Sequence, residues 1–218
     1  MLTIKELTAA YRTDYPIIEG INLNIKKGEK IGIIGRNGVG KSTFVKAIMK
    51  LTPYYSGLIS FNSINLIKLP AHKYMLHGIC YFMQDGAVFP NLSVKDNLKI
   101  AVLGSKINSF EETISKFSDI LSIFDESEFL NQKAGNLSGG ERNVLALCMV
   151  MTGNPRLLIL DEPLAGISPG NVQIVSNFLT IYMKKTECSL LLIDQNKNLV
   201  ENLCDNILIL RNKNLFSA

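Results

Sequence analysis

A glycine-rich stretch constrains the fold of this chain more than any other feature. Residues 35–43 have the sequence GRNGVGKST, which fits the pattern G-x-x-x-x-G-K-S. The apolar run 31–34 before it predicts a buried strand, and residues 44–49 after it predict a helix. Glycines in such a connection let backbone N–H groups turn inward, and the helix N-terminus adds the positive end of its dipole. The stretch therefore predicts a phosphate-binding loop.

Two side chains of this loop carry specific expectations. Lys41 is expected to reach the β- and γ-phosphates of a nucleotide, and the Ser42 hydroxyl is expected to ligate Mg²⁺. The other nucleotide-binding candidates of the loop are Gly35, Arg36, Asn37, Gly38, Val39, Gly40 and Thr43. A chance glycine-rich turn is the alternative, but the complete motif and its strand–loop–helix context agree. The stretch indicates binding of ATP or GTP.

Length and composition are those of a globular protein. The chain has 218 residues, of which 47% are apolar and 19% charged, enough for one large domain or a domain with a subdomain. A net charge of +4 suits a phosphate ligand or an anionic membrane face, although a solvated surface explains it more simply. The four cysteines have no metal-ligand spacing, which suggests reduced, packed thiols. Without a signal peptide or an apolar run of about 18 residues, the sequence predicts a cytosolic protein.

The first part of the chain predicts a second kind of sheet. Residues 2–7 and 21–25 alternate between apolar and polar side chains, which indicates antiparallel edge strands beside a parallel core. Tyr11 and Tyr15 fall in the polar connection between these strands. Either ring can stack on a nucleotide base, and either can equally well cover the sheet edge. Residues 70–78, which carry both histidines, predict a short helix with Pro at its start and Gly past its end.

Polar side chains end three further apolar runs. Gln84 follows the run 79–83, at a position from which it can reach a metal ion or an attacking water. Asp161 and Glu162 end the strongest predicted strand, where burying charge is costly without a partner. A Mg²⁺–phosphate pair supplies that partner, with Asp161 on the metal and Glu162 as the base. Two solvated acids at a strand end are the alternative. Gln195 follows the run 189–193.

The region between these strands predicts helices. Ser93 opens one helix with a capping-box-like start, and residues 109–124 predict a second. Residues 137–141, LSGGE, open a third, whose Ser138, Gly139 and Gly140 offer a hydroxyl and free N–H groups to an anion. An ordinary N-cap would explain this pattern equally well. Residues 171–185 predict a later helix and residues 207–216 a terminal hairpin, and no internal repeat is present.

With its motifs in this order, the chain resembles an ATP-binding cassette (ABC) ATPase, the nucleotide-binding subunit of an ABC transporter. The resemblance covers nearly the whole length. The matching segments are the phosphate loop 35–43, Gln84 of the glutamine loop, the signature 137–141, the Walker B strand with its catalytic glutamate at 157–162, and the dimer-contacting D-loop at 164–168. The signature is the most specific of these. Tyr11 is the better match to the adenine-stacking aromatic residue.

This resemblance implies an α/β fold. The expected fold is that of a P-loop NTPase with a RecA-like core and a mostly parallel sheet, an antiparallel β edge subdomain and an inserted α-helical subdomain. Residues 1–218 would form one ABC ATPase domain, with 1–84 and 153–218 as the core and 85–152 as the helical subdomain. Because the chain ends soon after its last predicted strand, no C-terminal regulatory domain is expected.

The resemblance also implies a shared site. The cofactors would be ATP and Mg²⁺, with Ser42, Gln84 and Asp161 toward the metal and Gln84, Glu162 and Gln195 as catalytic residues. Ser138, Gly139 and Gly140 would bind the nucleotide held by a second cassette, identical or not. ATP would close this dimer and hydrolysis would reopen it. Transmembrane permease subunits, and for an importer a solute-binding protein, would be the partners, on the inner face of the cell membrane. No nucleic acid is expected.

Finer features divide the family. Residues 69–72, 78–81 and 88–98 resemble the ATPases of branched-chain amino-acid and urea importers, and residues 194–196 resemble the lipopolysaccharide-export ATPase. Most ABC ATPases have a histidine where this chain has Gln195, and glutamine can donate a hydrogen bond but cannot carry a charge. The importer subgroup also tends to have glutamine here. A binding switch with little turnover is therefore an alternative. A soluble cassette acting on nucleic acid or ribosomes is a separate alternative, although such proteins usually have two cassettes or long coiled coils and this chain has one cassette with a mild positive charge. Cargo and direction stay open.

Overall fold

Two sheets and their strand order define the architecture. The computed structural model of the chain describes residues 1–84, 86–103 and 109–218. In chain order the strands are β1 (Leu2–Arg12), β2 (Tyr15–Ile25), β3 (Lys30–Ile34), β4 (Tyr54–Phe61), β5 (Ile64–Asn65), β6 (Ile79–Phe82), β7 (Leu157–Asp161), β8 (Ser189–Ile193), β9 (Asn206–Arg211) and β10 (Asn214–Ser217). The four-stranded sheet has the order β2-β1-β4-β5, and the six-stranded sheet has the order β10-β9-β3-β8-β7-β6.

The sheets differ in direction, as the hydrophobic patterns predict. Every pair in the four-stranded sheet is antiparallel, and in the six-stranded sheet only the β9–β10 pair is. All five residues of β7 and of β8 are buried, as their continuous apolar runs require in a sheet covered on both faces. The expectation of an antiparallel edge sheet beside a mostly parallel core is confirmed.

Helices cover both faces of the parallel sheet. They are α1 (Lys41–Ile48), α2 (Val94–Leu103), α3 (Phe110–Leu121), α4 (Glu126–Asn131), α5 (Gly139–Met151), α6 (Pro169–Thr186) and α7 (Lys197–Leu203). One buried cluster packs α1 and the antiparallel sheet against one face of the parallel sheet. A second cluster packs the six helices from α2 through α7 against its opposite face. Among the helices of the described ranges, none is both long enough and apolar enough to cross a bilayer.

Some local predictions were wrong. Residues 70–78 do not form one helix but two 3₁₀ turns, Ala71–Lys73 and Met75–His77, the second ended by Gly78 at φ 86°. The backbone bonds here run to the carbonyl three residues earlier, from Tyr74 to Ala71 and from Gly78 to Met75, as in a 3₁₀ turn. The buried Tyr74 hydroxyl anchors the segment by donating 2.9 Å to the Leu66 carbonyl. Tyr11 and Tyr15 belong to the ends of β1 and β2 and not to a loop between them.

The cysteines are free thiols, as predicted. Cys80, Cys148 and Cys188 are buried, and burial raises the pKa of each to about 12. A thiol with a raised pKa is a poor nucleophile at neutral pH because little thiolate is present. These residues therefore act as small apolar side chains in the core.

Candidate nucleotide-binding site

The loop between β3 and α1 has the geometry that its sequence predicts. Gly38 has φ +77° and Gly40 has φ +109°, both in the left-handed region that favours glycine. A Cβ on Gly40 would lie 2.9 Å from Cγ2 of Ile17, so β2 also excludes a side chain there. The amide of Phe44 donates to the Gly40 carbonyl at 2.9 Å, which begins α1 at the end of the loop. The free N–H groups of the first helical turn thus face the loop.

Lys41 is folded across its own loop. The residue is only 5% exposed, and its Nζ donates to the carbonyl oxygens of Gly35 at 2.9 Å and Arg36 at 3.2 Å. These bonds hold the ammonium group at the centre of the loop. A phosphate there would meet a positive charge that is already positioned.

Ser42 and Asp161 form a buried polar pair. The Ser42 hydroxyl donates 3.1 Å to Oδ1 of Asp161, which is fully buried at the end of β7. Burial raises the pKa of Asp161 above its ordinary value, and the hydrogen bond from Ser42 opposes this shift. The other oxygen, Oδ2, is buried without a hydrogen-bond partner among the described residues. An unpartnered carboxylate oxygen beside a hydroxyl fits Mg²⁺, which binds through one or two carboxylates together with substrate phosphates.

Gln84 and Glu162 meet at the edge of the same cleft. The Gln84 Nε2 lies 3.4 Å from Oε2 of Glu162, so two side chains 78 residues apart are brought together. Glu162 has φ +48°, a left-handed conformation that costs a non-glycine residue energy. Its amide donates to the Ile193 carbonyl at 2.8 Å, which fixes this sharp exit from β7. The strained turn sets the Glu162 side chain beside the phosphate loop.

Together these groups line a cleft of about 360 Å³. Its lining residues are Tyr11, Ile17, Asn37, Gly38, Gly40, Lys41, Ser42, Thr43, Gln84 and Glu162. All of them except Ile17 are candidates from the sequence. Ile17 has no recognisable sequence signal because only the packing of β2 against the loop brings it to the cleft. Tyr11 lines the cleft and the 68%-exposed Tyr15 does not, so the structure separates two tyrosines that their positions in the sequence did not.

Other candidates lie behind the loop. A second groove, here called the rear groove, has a volume of about 770 Å³, and Gly35, Arg36, Val39 and Gln195 are among its lining residues. Gln195 is exposed and does not line the cleft that contains Glu162. Its neighbour Asp194 is 6% exposed, and burial raises the pKa of its carboxyl group. In the sequence, the one signal for a polar residue at this place is that Asp194 directly follows the buried strand β8.

The signature residues Ser138–Gly140 lie at the start of α5, outside both the cleft and the rear groove. Ser138 caps α5 in a capping box, accepting from the amide of Glu141 at 3.3 Å while Glu141 Oε2 accepts from the amide of Ser138 at 2.7 Å. Ser138 and Gly139 are exposed, and neither lines the cleft of their own chain. The ordinary N-cap is therefore present, at a helix start that does not line the cleft of its own chain.

A buried strand, a phosphate loop, a helix and an acidic end on a nearby parallel strand together define a P-loop nucleotide hydrolase. Comparison with known proteins narrows the class. The sequence profile described as ABC transporter matches residues 18–165. The chain belongs to the ABC transporter family, as an ATPase subunit.

Two relatives and one solved structure illustrate the match. The chain is 34% identical over 211 residues to the probable branched-chain amino acid transport ATP-binding protein LivF of Archaeoglobus fulgidus, covering 96% of this chain and 88% of the relative. It is 29% identical over 217 residues to the lipopolysaccharide export system ATP-binding protein LptB of Escherichia coli K12, covering 99% and 89%. A dimeric ATP-binding cassette in a post-hydrolysis state with ADP and Pi superposes with a TM-score of 0.86 at 22% identity, covering 99% and 96%. The predicted fold class is confirmed.

Proposed function

We propose that this ATPase drives amino-acid import through a separate membrane permease, by closing and reopening a dimer of cassettes. One observation carries the proposal. The cleft holds the phosphate loop and Glu162, whereas the exposed signature residues of the same chain begin a helix outside that cleft. A second cassette would supply the missing signature. The similarity to LivF supports amino acids as the cargo.

ATP would bind through the charges and dipoles of the loop. Lys41 would move from the Gly35 and Arg36 carbonyls to the phosphates, and the loop N–H groups would donate to them. Ser42, Asp161 and the Gln84 amide oxygen would hold Mg²⁺, which offsets negative charge on the phosphates. The ring of Tyr11, exposed at the mouth of the cleft, would stack on the base.

Hydrolysis would use the pair at the cleft edge. Glu162 accepts a proton from the attacking water, and Gln84, within 3.4 Å of it, orients that water. The water oxygen bonds to the γ-phosphorus as the bond to the β–γ bridging oxygen breaks, leaving ADP and phosphate. Gln195 would donate to a phosphate oxygen across the loop.

The partner cassette would complete the site. Ser138 Oγ and the amides of Gly139 and Gly140, at the positive end of α5, would face the γ-phosphate held by the other protomer. Closure would require nucleotide because the γ-phosphate is the group that both protomers contact.

A membrane partner would dock beside the helical insertion. In this proposal residues 85–152 form the helical subdomain, although residues 85 and 104–108 lie outside the described residues. Met83, the residue before Gln84, is 40% exposed, and Phe89, five residues after Gln84, is 48% exposed. These side chains would supply apolar surface for permease subunits docking at 84–98. The chain would then sit on the inner face of the cell membrane.

A second candidate function rests on Gln195. Because Gln195 is exposed in the groove behind the loop and cannot carry a charge, the chain could bind ATP as a switch with little turnover. Steady-state hydrolysis with the permease present separates the two functions. Absence of turnover there would leave only the switch.

Glu162→Gln tests the import motor directly. The variant keeps a side chain of the same size but cannot accept a proton, so ATP binding should persist while hydrolysis stops and a closed dimer accumulates. Light scattering coupled to gel filtration in the presence of ATP measures the molar mass and so detects the dimer. Glu201→Gln, an exposed glutamate on α7, is the matched control and should hydrolyse normally. Hydrolysis at the native rate by Glu162→Gln would exclude Glu162 as the base.

A further inference from the structure

The first turns of α5 contact a segment that lies just beyond the candidate base. Asn143 is 6% exposed, and its Nδ2 donates to the Ala165 carbonyl at 2.7 Å. Ala165 comes three residues after Glu162, while Asn143 comes three residues after Gly140. A short, partly buried hydrogen bond from a side-chain amide therefore links the signature helix to the D-loop segment 164–168.

A second contact between the same two segments leaves no room for a side chain on Gly140. A Cβ on Gly140 would lie 2.8 Å from the Gly166 carbonyl oxygen and 3.1 Å from Cα of Ile167. Gly166 itself has φ +74°. The backbone of the D-loop segment thus seats directly on the first turn of α5. We call this hydrogen bond and this close approach together the α5 clamp.

The chain after Gln84 also approaches the first turns of α5 closely. A Cβ on Gly86, whose φ is +54°, would lie 2.8 Å from Cβ of Ala146 and 3.1 Å from Oδ1 of Asn143. Asn143 therefore lies between two segments, one continuing from Gln84 and one from Glu162. Gln84 and Glu162 themselves line the cleft of this chain.

We infer that Asn143 is a positioning residue that ties the signature offered to a partner cassette to Gln84 and Glu162 of its own chain. A nucleotide that reorders Gln84 or Glu162 would shift the segments after them, and the clamp would carry that shift to Ser138–Gly140. Nucleotide bound in the cleft of one chain would thereby change the position of the Ser138–Gly140 backbone that this chain offers to the site of its partner. The inference rests on the proposed dimer. It requires a structural element that both sites bias, and the hydrogen bond from the Asn143 side chain to the Ala165 carbonyl, beside the close approach of Gly140 to Gly166, supplies one.

The amide donor can be removed almost without changing volume. Asn143→Asp keeps the shape but places a carboxylate oxygen against the Ala165 carbonyl, so the bond to the D-loop segment is lost. Asn143→Ala removes the whole amide without adding a charge. Thr152→Val is the matched control because Thr152 is buried just past the last turn of the same helix, where its hydroxyl donates to Met149 at 2.7 Å.

The first measurement needs no dimer. Hydrogen–deuterium exchange of nucleotide-free protein should show faster exchange in peptides covering 164–168 for both Asn143 variants. Thr152→Val should leave these peptides at the parent rate, even with a comparable loss of melting temperature. Unchanged exchange at 164–168 in the Asn143 variants would overturn the clamp whether or not the protein dimerises.

The second measurement tests coupling between sites. Binding of a fluorescent ATP analogue to monomer should stay within about twofold, whereas kcat should fall roughly two- to thirtyfold at little-changed KM. In the Glu162→Gln background, Asn143→Asp should raise the protein concentration needed for ATP-dependent dimer. Equal dimerisation with and without Asn143→Asp would overturn the coupling role. Absence of any dimer in Glu162→Gln alone would instead refute the proposed function.

Discussion

The Ser42 hydroxyl and Asp161 Oδ1 are joined at 3.1 Å although the residues are 119 positions apart. Ser42 lies on α1, which follows β3, and Asp161 ends β7. Because β8 lies between β3 and β7 in the sheet, the bond connects segments that follow non-adjacent strands. The parallel direction of β3 and β7 brings a helix start and a strand end to the same edge. A site made this way forms only once the sheet has formed.

Asp161→Asn should stabilise the metal-free protein, and more so at pH 8 than near pH 4, where the carboxyl of the unfolded chain begins to ionise. Burial raises the pKa of Asp161, so the folded chain holds this proton more tightly than the unfolded chain does. The cost of ionising the carboxyl is absent below its unfolded pKa of about 3.9 and grows as pH rises through the higher folded pKa. Asparagine avoids this cost at every pH. Melting temperatures in EDTA measure the difference.

The control for this prediction is Asp119→Asn, an exposed position on α3. It should change the melting temperature little at either pH. A stabilisation by Asp161→Asn that does not grow with pH would contradict burial of the charge as its source.

Lys41→Ala should weaken ATP binding by roughly 10- to 100-fold, since a hydrogen bond to a charged group contributes about 1.5–3 kcal/mol. Lys50→Ala is a close control because Lys50 Nζ also spans two carbonyls, of Ile67 at 2.8 Å and Leu69 at 3.0 Å, away from the cleft. It should cost stability but not affinity. Titration calorimetry with ATP compares the two, and equal losses of affinity would point to unfolding as the cause.

Tyr11→Ala should reduce nucleotide affinity roughly 2- to 10-fold, in line with an aromatic stacking energy of about 0.5–1.5 kcal/mol. Tyr11→Phe should retain it because the ring remains. Tyr15→Ala should have no effect, since Tyr15 lies outside the cleft with its ring under Lys213 Nζ at 5.4 Å. Comparison of ATP with inorganic triphosphate isolates the base, and a Tyr11→Ala defect of equal size for both would rule out stacking.

Gln195→His should raise kcat and introduce a pH dependence near the ordinary histidine pKa of about 6.5. Imidazole can donate to a phosphate oxygen and also carry a charge, which glutamine cannot do. Gln195→Ala should lower kcat roughly tenfold through loss of a hydrogen bond to a charged group. Identical pH–rate profiles for all three proteins would assign Gln195 no part in hydrolysis, as its exposure in the rear groove would then explain.

Continuous apolar runs were the part of the sequence that predicted the fold best. β3, β6, β7 and β8 are each short and apolar, and each leads into a polar or glycine-rich segment, so their ends could be expected at one edge of a parallel sheet. That was enough to group Lys41, Gln84 and Glu162 from the sequence alone. The signal is strong because burial on both faces leaves little choice of side chain.

The two short helices α4 and α7, each with a side-chain N-cap, were not predicted from the sequence. α4 and α7 are short, and each begins with a side chain accepting from the backbone three residues on, at Asp125 and Asn196. Such caps also occur in loops, so they do not identify a helix alone. The contact of Asn143 with Ala165 had no signal at all, since it depends on how α5 meets a distant turn.

The chain leaves β6 at Phe82 and re-enters the sheet at Leu157, on the strand that pairs directly with β6. The helices α2 to α5 are thus inserted between two neighbouring strands, β6 and β7, and connect to the sheet only through the ends of these strands. An exchange of this segment between homologous genes would need only two crossovers and would leave every strand pairing of the sheet intact. Because Gln84 and Ser138–Gly140 lie within this segment, such an exchange would also replace one side of the proposed shared site in a single event.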